Sequence, residues 1–154
     1  MKNHASVERI QKEFASLVDL ILSLHQRKLE LVPTQVALSM HPASFLRQFC
    51  TVIVDIGRVA GKTHYISTRA QPGDIVISLN AQSCRHFQEN TRDLQLTVIS
   101  SLVVENESDV FYLMRDINCR TIWIDEGWAI KNWSSFYECA AQTRAQRIVI
   151  FGSR

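Results

Sequence analysis

Val7, Ile10, Phe14, Leu17, Ile21 and Leu24 follow one another at steps of three and four, which predicts an amphipathic helix from about Ser6 to about Leu31. Its apolar stripe must be covered. Docking on the chain's own core is the simplest cover, and a coiled-coil-like dimer contact is the competing one. Pro33 ends this helix, a second short helix is expected from Thr34 to Met40 before His41-Pro42, and a third helical piece runs from Ala43 to Gln48. From Thr51 the pattern changes to short apolar runs separated by polar, helix-like stretches. The runs are TVIVDI, IVISL, LTVISSLVV, TIWID and RIVIF; between them lie KTHYISTRA, the polar stretch Gln82 to Arg92, the ambiguous VFYLM and SSFYECAAQTRA. Such alternation predicts an α/β protein with about four or five strands in a mainly parallel sheet, covered on both faces. QPGD and ENESD read as turns.

Composition narrows this picture without redirecting it. The chain has 154 residues, 46% of them hydrophobic, enough for one sizeable core and too few for a catalytic domain plus a large second domain. The expected division is an N-terminal amphipathic helix over 1–32 and a core over 33–154. A net charge of +2 demands neither nucleic acid nor an anionic membrane as partner. No apolar run reaches the length of a membrane span and no leader pattern opens the chain, so a soluble, cytoplasmic protein without a membrane partner is expected. Cys50, Cys84, Cys119 and Cys139 are widely spaced, form no metal pattern with the five histidines, and predict free thiols in a reducing compartment, Cys50 as a core residue.

The chemistry is concentrated in two places. Gly61-Lys62-Thr63 directly follows the β-branched run VIVDI and opens a helix-like stretch. In that context the exposed amides of a helix N-terminus bind phosphate oxygens, the Lys62 ammonium neutralises β and γ charge, and the Thr63 hydroxyl holds Mg²⁺. His64 then falls on the first helical turn, near the phosphates, although a bystander role is the simpler reading. About sixty residues on, TIWIDE ends a buried run in two carboxylates: Asp125, suited to supporting the metal, and Glu126, suited to accepting a proton from water. The competing reading of that pair is a solvated strand end.

The segment Gly57-Arg58-Val59-Ala60-Gly61-Lys62-Thr63 resembles the variant Walker A motif of the ATPase domain of viral terminase large subunits, in which the position of Ile56 need not be glycine. Leu31-Val32-Pro33-Thr34-Gln35 resembles the adenine motif of the same family, and Asp125-Glu126 its Walker B pair. The resemblance covers roughly residues 30–154. It implies a three-layer P-loop NTPase of the RecA-like, additional-strand, catalytic-glutamate type, hydrolysing ATP with Mg²⁺. Gly57, Arg58, Gly61, Lys62, Thr63 and His64 would line the nucleotide, Gln35 would read the adenine edge, Thr63 and Asp125 would hold the metal, and Glu126 would activate water. Arg58 would act in cis on the γ-phosphate, and Ser153 would be a coupling residue at the tip of the last strand. It also implies DNA packaging as the coupled work, a DNA or nucleoprotein partner, a homo-oligomer, and the host cytoplasm as location. Relative to that family the chain reads as a truncated or minimal copy of the ATPase core, with no nuclease carboxylates.

Two other readings compete. Ile124-Asp125-Glu126-Gly127 resembles a segment of thymidine-kinase-like enzymes, where the glutamate would deprotonate a nucleoside 5′-hydroxyl, but the zinc-binding cysteine pairs and base-gripping segment of that family are absent. A non-catalytic nucleotide-binding interaction module is the third. For the tryptophans, Trp123 is expected in the core, and Trp128 and Trp133 are expected to anchor helix packing rather than to form a base or partner surface.

Overall fold

The computed structural model describes residues 2–56, 61–78, 81–91, 97–100, 111 and 114–152. Helix α1 (Lys2–Glu30) is followed by the short helices α2 (Thr34–Ser39) and α3 (Pro42–Phe45), and a π-helical turn, Leu46–Cys50, leads into strand β1 (Thr51–Val54). Then come α4 (Lys62–Arg69), β2 (Ile75–Ser78), α5 (Ala81–Asn90), β3 (Thr97–Ser100), β4 (Thr121–Ile124), a 3₁₀ turn at Gly127–Ala129, α6 (Trp133–Gln142) and β5 (Arg147–Phe151). The predicted run TVIVDI is shorter as a strand, because Asp55 and Ile56 lie past its end.

The strands form one parallel sheet in the order β1-β5-β4-β2-β3. Each inner strand buries both faces, which is why Ile75, Val76 and Ile77, and Ile122, Trp123 and Ile124, read as unbroken apolar runs. Alternate residues feed two cores. Ile75, Ile77, Ile122, Ile124, Ile148 and Ile150 pack with α3 and α6 on one face. Val52, Val54, Val76, Trp123, Val149 and Phe151 pack with α1, α4 and Phe87 of α5 on the other. The class is thus α/β with helices on both faces. Passage from β2 through α5 to β3 moves away from β1, and passage from β4 through α6 to β5 moves back toward it, with the helix on the opposite face. Reversing direction and face together keeps the hand of the crossover constant. It also creates a point, at the C-terminal ends of β1, β5 and β4, where the winding reverses, and such points favour ligand sites.

Helix α1 docks on the sheet, but not through the predicted stripe. Its buried residues are Phe14, Val18 and Leu22, packed against Val52, Val54, Tyr65 and Phe151, while Val7, Ile10, Leu17 and Leu24 stay exposed. Phe14 belongs to both rows, and Ile21 packs at the edge of the core. The docking row steps by four, along the i±4 ridge that fits a flat apolar surface, whereas the predicted row alternates three and four and drifts to the helix shoulder. Helix α1 thus forms part of the layer on that face of the sheet, beside α4 and α5. Asp19 fastens it, accepting from Tyr65 Oη at 2.6 Å and from Arg69 Nη2 at 2.8 Å. Burial and the Asp19 carboxylate push the Tyr65 phenol far above its usual range.

Candidate functional site

The residues after β1 and after β4 share the rim at the reversal point. Gly61 caps α4 with φ +121°, a conformation that side chains rarely adopt, and a Cβ there would come within 3.2 Å of Gln11 Cγ on α1. Glycine at 61 is thus favoured by the backbone conformation, and a side chain there would in addition press on Gln11. It sets Lys62 and Thr63 in the first turn of α4, where backbone amides are not yet hydrogen-bonded within the helix.

Across the rim, β4 ends at Ile124 and delivers Asp125 and Glu126. The Lys62 ammonium donates to Glu126 Oε1 at 2.9 Å, both side chains being largely sheltered from water. The other carboxylate oxygen, Oε2, accepts from the indole Nε1 of Trp128 at 2.9 Å. Gly152, just past β5, passes close behind: a Cβ on it would lie 3.6 Å from Glu126 Oε2 and 3.7 Å from the Gly127 nitrogen. Its own nitrogen donates to the Val54 carbonyl, tying the ends of β1 and β5 together beneath the pair.

Asp125 is 6% exposed. Its backbone N–H is taken by the Ile77 carbonyl at 3.0 Å. Burial raises its carboxyl to about 6, Glu126 adding to the rise while Lys62, His86 and a hydrogen bond with Thr63 oppose it. Asp125 Oδ1 is buried without a hydrogen-bond partner. A buried carboxylate oxygen without a donor is costly unless something positive reaches it. The donor set, a carboxylate beside a threonine hydroxyl, is all oxygen and suits a hard cation such as Mg²⁺.

Of the residues singled out in the sequence, Gly61, Lys62, Thr63, Asp125 and Glu126 are brought together. Gly57, Arg58 and Ser153 lie outside the described residues. His64 is exposed and lines a cavity of about 360 Å³ between α1 and α4, shared with Glu8, Gln11 and Gly61. Gln35 is placed apart. Its neighbours Thr34 and Ala37 border a cavity with Cys50, Thr121 and Arg147, which precede or open β1, β4 and β5, whereas Lys62 and Glu126 follow β1 and β4. The cause is the length of α1: it runs about 27 Å from Gln11, beside Gly61, to Leu29, near the N-terminal ends of the strands, and delivers α2 there. The adenine contact expected of Gln35 is not available at the Lys62–Glu126 rim.

The roles of Trp128 and His86 near the site, and of Asp74 at the opposite ends of the strands, were not read from the sequence. Trp128 is 56% exposed and holds Glu126 rather than packing a helix; its hint was the indole donor two residues after a carboxylate. Trp133, by contrast, is partly buried and packs against the core on the α3 and α6 face, as a helix anchor should. His86, from α5, acts on Asp125 through its charge. Asp74, read as part of a turn, is 1% exposed and accepts from Thr121 N, Trp123 Nε1 and Gln71 N.

The four cysteines are free, with Cys50, Cys84 and Cys119 buried. Among the described residues no cluster of histidine, cysteine and carboxylate side chains could hold a metal by three such ligands, and no helix is long and apolar enough to cross a membrane. A class is defined by these observations: a parallel α/β protein whose lysine-bearing helix N-terminus faces an acidic strand end. No known protein family matches the chain by its sequence, and neither a curated protein nor a solved structure is significantly similar to it.

Proposed function

We propose that this chain is a P-loop ATPase of the additional-strand, catalytic-glutamate type, binding ATP with Mg²⁺ and hydrolysing it. The observation that carries the reading is the meeting of Lys62 and Thr63, after β1, with Asp125 and Glu126, after β4, while β5 lies between those two strands. The inserted strand sets the distance between phosphate loop and acid pair, leaving room for a water to stand between a γ-phosphate and Glu126.

In this reading the α4 amides and Lys62 bind the β and γ phosphates, and Thr63 and Asp125 hold the metal, whose bound charge neutralises the phosphate oxygens. Asp125 Oδ1, buried without a hydrogen-bond partner, would be the oxygen that holds the cation, and a bound divalent charge would favour the ionised carboxylate. Glu126 takes the proton of the attacking water. Its lysine contact has first to be surrendered: phosphate draws Lys62 away and frees Oε1, while Trp128 still holds Oε2 and keeps the carboxylate aimed. Arg58 acting on the γ-phosphate, and coupling of turnover to DNA or a nucleoprotein in an oligomer, extend the proposal by resemblance to the terminase ATPase. The base contact is left without an assigned residue, because Gln35 sits at the other end of the sheet.

The test is Mg-ATP binding and turnover by wild type, Lys62→Ala and Glu126→Gln, with thymidine and with DNA added in parallel. Expected are loss of binding in Lys62→Ala, and retained binding with at least a hundredfold loss of turnover in Glu126→Gln, the scale of removing a positioned general base. Labelled thymidine phosphate as product would replace hydrolysis by nucleoside phosphorylation. Absence of ATP binding by wild type would end the enzymatic reading.

A further inference from the structure

At the opposite edge of the sheet, where β4 and β5 begin, a cavity of about 470 Å³ opens beneath α1 and α2. That is the size of a small-molecule pocket. Its lining includes the apolar Leu29, Phe45, Leu46 and Cys50 together with two arginines, Arg120 and Arg147. Arg147 opens β5 and is half-buried, and its Nε is buried without a hydrogen-bond partner. Neither arginine has a carboxylate within ion-pairing distance among the described residues. The two charges act on each other unfavourably, and burial pushes the Arg147 guanidinium below its usual value. Tyr65 and Asp74 act on Arg147 favourably, but the Asp74 carboxylate is engaged by Thr121 N, Trp123 Nε1 and Gln71 N, and the Trp123 ring at 5.9 Å is a weak partner. Arg147 also borders a second cavity, of about 370 Å³, with Asp19, Tyr65 and Trp123, so it stands between the two. A sheltered donor on a cation close to a second cation is an arrangement that an anion relieves.

We propose that this cavity is a binding site for a small amphiphilic anion, a carboxylate or phosphate head on an apolar body. The head sits on Arg147 and Arg120, bridging two charges that otherwise repel, and the body lies on Leu29, Phe45 and Leu46. The site is separate from the Lys62–Glu126 rim, which lies past the far ends of the same strands, and it does not depend on the ATPase reading.

Calorimetric titration of the full chain with decanoate, decyl phosphate, decanol and inorganic phosphate tests it. Decanoate or decyl phosphate is expected to bind at one site per chain, the better of them naming the head group, with decanol and inorganic phosphate each at least tenfold weaker. Arg147→Gln and the exposed Arg120→Gln should each weaken the better ligand at least fivefold without changing decanol binding, and Lys62→Ala should leave it unaltered. Arg120→Gln keeps the test valid if the Arg147 variant fails to fold. The proposal is overturned if neither amphiphile binds below millimolar concentration, if both arginine variants bind as wild type does, or if Lys62→Ala abolishes binding.

Discussion

Replacing Asp74 by alanine should cost about 4 kcal/mol of stability, a large fraction of what a domain of this size has. The side chain stands where β2 begins and reaches across to β4, with Oδ1 accepting from Thr121 N at 3.0 Å and Oδ2 from Trp123 Nε1 at 3.0 Å and Gln71 N at 2.8 Å. The Thr121 and Trp123 donors belong to residues that are 3% and 1% exposed, so no water replaces the lost acceptor. Each buried donor left without a partner costs about 1–3 kcal/mol. Gln71 is exposed and can turn to solvent, so it adds little. The sum corresponds to a fall in Tm of about 10 °C for a chain of this length. Urea unfolding followed by tryptophan fluorescence and by far-UV circular dichroism measures it. Asp74→Asn keeps one carbonyl acceptor but turns an amide donor toward the other site, so about half the loss is expected. In a double-mutant cycle, Trp123→Phe removes the indole donor, and Asp74→Ala should then cost about 1–2 kcal/mol less than it does in wild type. If Asp74→Ala loses under about 1 kcal/mol, or the two changes simply add, the account of Asp74 as the staple between β2 and β4 is refuted.

Other outcomes follow from the site and from α1. Trp128→Phe should retain Mg-ATP binding but lower turnover several-fold, because Glu126 loses the donor on Oε2, and it should remove most of the emission change that nucleotide causes in wild type; an unchanged spectrum and rate would dismiss Trp128 as a positioning residue. Asp19 is held below its usual value of 3.8, chiefly by the hydrogen bond from Arg69, so the native state favours its charged form; the stability it contributes is present above pH 3.8 and lost as pH falls through the lowered native value. Wild type and Asp19→Asn should therefore differ in urea midpoint at pH 7, with the gap narrowing as pH falls below 3.8, and a gap constant with pH would contradict that. Phe14→Ala, at the row that docks on Val52 and Phe151, should cost about 3–5 kcal/mol, while Leu17→Ala on the exposed shoulder should stay within about 1 kcal/mol; thermal melts of both give the comparison.

Much of the local chemistry was legible in the order of residues. The apolar runs ending in Ser78, Ile124 and Phe151 marked strands because a strand buried on both faces has no polar register to show, and the β-branched run ending in Val54 marked the edge strand although its Ile53 is exposed. Gly61-Lys62-Thr63 after the first run, and Asp125-Glu126 after the fourth, were readable because backbone geometry and charge at a strand end are local properties.

What the chain folds into across space was decided elsewhere. Which row of α1 meets the sheet depends on the surface it packs against, so Val18 and Leu22 are buried and Leu17 and Leu24 are not, although all four are equally apolar. The order β1-β5-β4 puts Lys62 within 2.9 Å of Glu126, 64 residues away, and the length of α1 carries Gln35 to the other end of the sheet. Trp128 holding Glu126, Asp74 stapling two strands, and two arginines sharing a cavity without an acid are likewise products of packing. Periodicity and motif report what a residue can do where it stands in the chain; only the tertiary structure determines which distant group it faces and how far water is excluded from the meeting.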